Sequence, residues 1–502
     1  MWPIRALANQ AFSRAAGAQL VGGNGVRLLR DAEENYPAWL SAIAAARRHV
    51  HFENYIIHDD DTGEMFAEAL IDKARQGVRV RLIYDWLGGL GKASRSFWRR
   101  LREGGVEVRC YNPPRIEAPL AWLSRDHRNM LAVDGEVGFV TGLCVGSMWR
   151  GDPEKGVAPW RDTGVEIRGP AVAEVERAFA EMWAELGSPI PAEETSAIAP
   201  GKSGDVSLRI VASTPGMAGM FRLDQLIASL ARERLWLTDA YYAGAAPYVQ
   251  ALRAAAKDGV DVRLLVPNAT DIPLLQPLSR AGYRSLLQAG VRIFEWNGTM
   301  LHAKTAVADG RWSRVGSTNL NIASWLGNCE LDAVFEDEGI AREMEEMYLD
   351  DLAHATEVVL DPKLHLSAPP SLHRRRLGSS GGSAGRAAAG AIRIGHAVGA
   401  AFTRQRILEP VEARIMLAAG AILLGLATLF ALFPRLLVYP LIAAMVWIAC
   451  ALLWTGWGLH RKKRPRASAD RTVATDRGER ARSARKDRGL GRPEEDALPP
   501  DP

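Results

Sequence analysis

Paired cysteines are missing from this chain of 502 residues. Its four, Cys110, Cys144, Cys329 and Cys450, are scattered without disulfide or metal spacing, which argues against a disulfide-stapled scaffold and fits a reducing compartment. A charge excess is missing as well. At a net +4 no global polycation draws the chain to nucleic acid or lipid, and basic residues cluster locally instead. Met1 to Gln10 lacks the continuous apolar core that a signal peptide needs. Charge is wholly absent from two stretches near the C-terminus, the 19 residues Ile415 to Phe433 and the 22 residues Leu436 to Trp457. At about 1.5 Å per residue, each matches a hydrocarbon core of about 30 Å. Only Pro434-Arg435 separates them, so 413–458 reads as a tight transmembrane hairpin, with a buried hairpin of a soluble domain as the alternative. Arg404, Arg406 and Arg414 precede it and His460 to Arg464 follow it, which places both ends and the body of the chain in the cytoplasm, at an inner membrane.

What is present, above all, is a duplication. Phe66 to Tyr84 and Tyr248 to Val266 each read as an amphipathic helix, a Gly turn and an alternating strand. Gly104 to Arg109 and Ala289 to Phe294 repeat the next turn and strand, and Gly138 to Gly142 and Ser313 to Ser317 repeat a strand ending in small residues. Two three-layer α/β units follow from this alternation, over 19–189 and 205–362. A basic linker with a possible amphipathic helix at Ala391 to Leu408 occupies 363–412, and a charged, Pro-rich tail without apolar periodicity occupies 467–502.

Each unit carries one His-centred motif. Leu301-His302-Ala303-Lys304 with Asp309 is a complete HxKxxxxD pattern; Asp126-His127-Arg128-Asn129 with Asp134 has Asn where the Lys belongs. Imidazole is both a nucleophile at phosphorus and a proton carrier near neutral pH. Phosphodiester transfer needs both jobs, so two histidines sharing one phosphate can divide them. The residues leave open which of the two attacks. Lys304, Ser317 and Asn319 are candidate donors to the non-bridging oxygens. Glu330 and Asp162 are candidates for the carboxylates that fix each imidazole's tautomer. Asp134 and Asp309 complete the motifs, although their place behind an apolar run suits turn anchors.

These residues resemble the phospholipase D superfamily and, within it, the bacterial cardiolipin synthases. The resemblance covers about Val21 to Pro362 and also includes His51-Phe52-Glu53-Asn54-Tyr55, Gly169 to Ala171 and the block Met300 to Glu330. It implies two α/β/α sandwich units packed around one shared active site, no metal or other cofactor, and a covalent phosphatidyl-histidine intermediate. The implied reaction moves a phosphatidyl group from one phospholipid to the glycerol hydroxyl of another, with phosphatidylglycerol as the expected donor. The first half departs from the pattern at Asn129 and at Cys144, which stands where the second half has Asn319. Both positions are expected to face the phosphate, with Arg125 or Arg128 as possible compensating cations. Rival readings are a hydrolase releasing phosphatidic acid, a nuclease, and a lipid-binding protein with a decayed site. A nuclease would want a basic groove with stacking aromatics. None is concentrated near the motifs, so phospholipid and membrane, not nucleic acid, are the expected partners.

Overall fold

The computed structural model describes residues 2–115, 123–152, 154, 156–195, 201–272, 275–360, 421, 424–433 and 435–462. The chain divides into two units, one of residues 1–114 and 120–420 and one of 115–119 and 421–502. The larger unit holds both repeats.

The first repeat supplies β1 (Val21–Arg30), β2 (His49–Asn54), β3 (Arg79–Asp85), β4 (Glu107–Tyr111), β5 (Asn129–Val133), β6 (Val137–Thr141) and β7 (Thr163–Arg168). The second supplies β8 (Val206–Ser213), β9 (Arg234–Thr238), β10 (Asp261–Ala269), β11 (Arg292–Met300), β12 (Thr305–Ala308), β13 (Trp312–Gly316), β14 (Glu330–Glu336) and the extra β15 (Ala355–Val358). Read outward from the middle, the first repeat runs β1-β7-β6-β5-β2-β3-β4 and the second β8-β14-β13-β12-β9-β10-β11-β15. The order is the same in both, which makes the duplication visible in three dimensions. In each, the helix-linked strands are parallel and the others antiparallel.

The sequence predicts two sandwich units packed together. The structure instead joins them edge to edge into one 15-stranded mixed sheet, through antiparallel pairing of β1 with β8 (Val21 to Leu208, Asn24 to Val206). Asn24 is buried at that seam, donating to the carbonyls of Val21 (2.8 Å) and Val206 (3.2 Å) and accepting from the Ala171 N–H (2.8 Å). Helices cover both faces. One core lies under the helices Asp31–Ala45, Asp61–Arg75 and Arg95–Glu103 of the first repeat, and another under Gly219–Leu230 and Ala246–Lys257 of the second. A third, on the opposite face, is shared by both repeats through Val172–Glu185 and Glu338–Ala353. A helix not foreseen from the sequence, Trp2–Ala16, also packs on Gly219–Leu230, with Ala16 buried in the second repeat's core. Phe97 and Trp98 are buried, so Arg95–Glu103 is a solvated helix with an aromatic anchor.

The foreseen turns form for a local reason. Gly77 and Gly259, at φ of +88° and +97°, sit between helix and parallel strand, where a side chain would be strained. Asp134-Gly135 and Asp309-Gly310 all have positive φ, at the centre of the three-residue turns β5-β6 and β12-β13, where the Glu136 N–H donates to the Val133 carbonyl (2.9 Å) and the Arg311 N–H to the Ala308 carbonyl (3.1 Å). The Asp134 carboxylate accepts from the backbone N–H groups of Arg47, Arg48 and His49 (2.7–2.8 Å). Asp309 does the same for Arg232, Glu233 and Arg234 (2.9–3.0 Å). Grouping these aspartates with the catalytic residues is therefore corrected: both are turn anchors at the end of the sheet away from the histidines. Asp134→Ala orphans several partly buried donors and is expected to cost on the order of 1–3 kcal/mol each where water cannot enter. Urea unfolding should show that loss, while kcat at a temperature where the variant is folded stays unchanged.

In the smaller unit, the predicted second span falls on a helix, Arg435–Lys462, with Leu441, Met445, Leu453 and Trp454 exposed. The first span is described as helix at 421 and over 424–432. Among the described residues no helix is long and apolar enough to cross a membrane. The linker 363–412 and the tail 467–502 lie outside the described residues.

Candidate active site

His127 and Asn129 sit at the entry to β5, and His302 and Lys304 at the entry to β12, equivalent places in the two repeats. Two short cross-repeat ladders bring them together. The His127 N–H donates to the Cys329 carbonyl (2.9 Å) and the Cys329 N–H to the Arg125 carbonyl (2.8 Å). Symmetrically, the His302 N–H donates to the Arg161 carbonyl (2.7 Å) and the Arg161 N–H to the Met300 carbonyl (2.9 Å). Each histidine is thus pinned beside the residue that precedes the other repeat's carboxylate.

The carboxylates follow from that pairing. His127 Nδ1 lies 2.9 Å from Glu330 Oε2, and His302 Nδ1 lies 2.7 Å from Asp162 Oδ2. Both sequence candidates are in place, and each serves the histidine of the opposite repeat. With Nδ1 held as a donor to carboxylate, Nε2 is left with the lone pair. Each imidazole is thus half of a histidine–carboxylate pair that spans the two repeats.

Ser317 turns out to hold Glu330: its hydroxyl donates to Glu330 Oε2 (2.6 Å) and accepts from the Leu331 N–H (2.9 Å). Its expected role as a phosphate donor is corrected to that of a positioning residue. Asn328 adds a contact to Glu330 Oε1 (3.3 Å). Gly142 occupies the place of Ser317 in the first repeat, and a Cβ there would lie 2.3 Å from Asp162 Oδ1, so the close approach of Asp162 needs glycine. Trp149 Nε1 donates to Asp162 Oδ2 (3.3 Å).

The departures in the first repeat have a structural content. Asn129 Oδ1 accepts from the Tyr55 N–H (3.0 Å) and the Cys144 thiol (3.5 Å), and Nδ2 faces the carbonyls of His127 and Gly142 (3.5 and 3.4 Å). Asn129 and Cys144 therefore pair with each other and with backbone, which corrects the expectation that both face the phosphate. Arg128 offers no compensation, because it is buried against the carbonyls of Ala178 and Ser213 (both 3.1 Å) and near Glu53. Arg125 reaches the Tyr55 hydroxyl at 3.3 Å. Asn129→Lys places an ammonium in this packed cluster and orphans the Tyr55 N–H, at a cost of about 1–3 kcal/mol. Thermal melting should fall accordingly, and less so when Cys144→Asn accompanies it.

Charge is consequently lopsided. Lys304 Nζ lies 2.9 and 3.0 Å from the two ring nitrogens of His302, and both residues are buried. Burial and then the Lys304 charge push His302 down to about 4, against the pull of Asp162. Burial likewise lowers Lys304. Burial alone would raise Asp162, but His302 and Lys304 outweigh it and hold it below the ordinary carboxylate range. Asn319 is buried, and its Oδ1 has no hydrogen-bond partner among the described residues.

Sequence reasoning missed the aromatic walls and Arg161. Tyr55 meets His127 edge-on with centroids 4.8 Å apart, and Trp149, Trp160 and Tyr241 surround His302 at 5.4, 5.7 and 5.8 Å. Tyr55 lies inside the His51 to Tyr55 motif, the signal available for it. Arg161, buried, bonds Asp351 (2.9 and 3.1 Å), Asp31 (3.1 Å) and Thr163 (3.0 Å), which fixes the segment carrying Asp162.

The sequence profile of the family described as cardiolipin synthase, PLD-like domain, matches residues 39–183 and 223–352. Cardiolipin synthase A of Pseudomonas aeruginosa is 34% identical over 358 residues, covering 69% of this chain and 71% of that protein. Cardiolipin synthase of Alkalihalophilus pseudofirmus is 31% identical over 338 residues, covering 66% and 67%. Among solved structures, phosphatidylserine synthase of Haemophilus influenzae superposes with a TM-score of 0.55 at 12% identity, covering 70% of this chain and 91% of that one, a likeness of fold.

Proposed function

This chain belongs to the cardiolipin synthase family of phospholipase D-like proteins and is a phospholipid phosphatidyltransferase; from that premise we propose that His302 and His127 divide one transfer reaction between them, with phosphatidylglycerol as donor and a second lipid alcohol as acceptor. The observation that carries this reading is the reciprocal exchange of carboxylates, Glu330 to His127 and Asp162 to His302, which ties both imidazoles to one composite site.

His302 is the nucleophile. A neutral imidazole is needed for attack, and burial plus the Lys304 ammonium keep it neutral to well below pH 7. Its Nε2 attacks phosphorus, the bond to the glycerol oxygen breaks, and His127 supplies the proton that lets glycerol leave. The Glu330 carboxylate beside His127 stabilises that imidazolium, and the Asn at position 129 brings no competing cation. In the second half-reaction His127 removes the acceptor hydroxyl's proton, the alkoxide attacks phosphorus, and the phosphorus–nitrogen bond breaks to restore His302. Lys304 and Asn319 face the non-bridging oxygens. Lys304→Met is expected to lower kcat by about 10²–10³-fold. Removing its charge also lets His302 rise from about 4, so the acid limb of the rate profile moves to higher pH, readable in kcat/KM against pH.

Leu436 to Trp457 together with Ile415 to Phe433 anchors the protein in the membrane as a hairpin, with the body on the cytoplasmic side where anionic phospholipid is met. Resistance to carbonate extraction in the full chain, lost on deleting 413–458, is the expected behaviour.

The decisive assay is incubation of the purified protein with phosphatidylglycerol in liposomes. Cardiolipin and free glycerol are expected. Phosphatidic acid alone would mark a hydrolase, and cleavage of single-stranded DNA without lipid turnover would refute the reading.

A further inference from the structure

A second His-centred cluster lies outside the active site. His49 and His51 alternate on β2, so both imidazoles stand on one face of the strand. Glu176 projects from the helix Val172–Glu185 on that face, and its two oxygens meet one histidine each: Oε1 is 2.8 Å from His49 Nε2 and Oε2 is 3.0 Å from His51 Nδ1. The three donor atoms lie within 4.8 Å of one another. The histidines converge through different ring nitrogens, so each ring is turned to bring a donor to the same point. Their rings stack at 4.4 Å, and Phe179 stacks on His51 at 4.5 Å, which locks both orientations. The histidine side chains are buried, whereas the Glu176 side chain keeps 19% of its surface open, a path for an ion.

We propose that His49, His51 and Glu176 bind a single Zn²⁺ ion, with water completing the shell, as a structural clamp between β2 and the helix Val172–Glu185. Two imidazoles and one carboxylate are a donor set that suits a borderline divalent cation and matches open zinc sites. Small shifts place an ion about 2.0–2.2 Å from each donor. The neighbouring groups are compatible with this. The Gly135 N–H donates to Glu176 Oε1 (3.1 Å) and orients the carboxylate. Arg81, 3.5 Å from His51 Nε2, is already paired with Glu194 (2.8 Å) and Glu107 (3.4 Å). With zinc on Nδ1, His51 carries its proton on Nε2 and Arg81 turns wholly to those carboxylates. The site sits at the Asp134-Gly135 end of β5, because His51 opposes Ala132 and Asn54 opposes Asn129 in the register. It is therefore separated from the histidine pair by the length of the strand, and it fastens a helix that packs in the core shared by both repeats.

The test uses the full chain in detergent, stripped with chelator and then dialysed against ZnSO₄. About one retained Zn²⁺ per chain by elemental mass spectrometry, with a melting temperature raised by several degrees, is expected. The double variant His51→Ala, Glu176→Gln should lose both, and its phosphatidyl transfer measured without zinc should equal that of the metal-free parent. No retained zinc in the parent, or equal zinc in the double variant, overturns the proposal. Should the double variant fail to fold, Co²⁺ loading of the parent gives an independent reading. Intense visible bands from a low-coordinate nitrogen-bound ion are expected, and a spectrum identical to aqueous Co²⁺ rejects the site.

Discussion

His302→Ala is expected to lower phosphatidyl transfer by at least about 10⁴-fold, and no choice of leaving group should restore it. The same replacement at His127 should behave differently. Its proposed job is to protonate the departing alkoxide and then to activate the acceptor. A phosphatidyl ester of p-nitrophenol leaves without a proton, so the first half-reaction escapes the need for His127. His127→Ala is therefore expected to release a burst of about one equivalent of p-nitrophenol and then to turn over slowly, while His302→Ala gives no burst. The distinction rests on charge placement. Lys304 presses on His302 and keeps the imidazole unprotonated, whereas the first repeat has Asn129, consumed by Tyr55, Cys144 and backbone. A burst from His302→Ala and none from His127→Ala would reverse the roles.

The second large effect concerns the exchanged carboxylates. Asp162→Asn and Glu330→Gln keep size and shape but replace an ion with an amide. An amide nitrogen donating to Nδ1 selects the wrong imidazole tautomer, and in other His–carboxylate sites this costs on the order of 10⁴-fold. Asp162→Asn moves the proton of His302 to Nε2 and so removes the attacking lone pair. Glu330→Gln instead weakens the proton delivery of His127. The p-nitrophenyl substrate should thus rescue the initial burst of Glu330→Gln but not that of Asp162→Asn. Circular dichroism should show both variants folded, since Trp149, Ser317 and Asn328 still surround the replaced groups. Equal rescue of both would mean that these carboxylates act only by holding the two repeats together.

Much of this site was legible in the sequence because the relevant groups stand at strand ends in duplicated segments. His127 and His302 precede β5 and β12, and Asp162 and Glu330 stand at the starts of β7 and β14, so an α/β repeat with the motifs in phase puts them at one end of a sheet. The turn glycines and the Asp-Gly hairpins were legible for the same local reason. What escaped depends on contacts distant in the chain. The β1–β8 seam joins residues about 185 apart, such as Val21 and Leu208, with no pattern to mark it. Ser317 looked like a phosphate donor, but its hydroxyl is claimed by Glu330, a partner on the next strand. Asn129 looked like a weakened Lys, but Tyr55 and Cys144 make it part of a packed cluster. Nothing local marks Arg161, because its partners Asp31 and Asp351 lie 130 and 190 residues away.

The central claim is that one phosphorus atom is served by both histidines, with His302 attached to it midway. The most direct measurement is rapid alkaline quench of the protein mixed with p-nitrophenyl phosphatidyl ester, followed by peptide mass spectrometry. A phosphatidyl adduct on the peptide containing His302 is expected, faint in the parent and accumulating in His127→Ala. An adduct on the peptide containing His127, or none on either while the lipid is still turned over, would contradict the account.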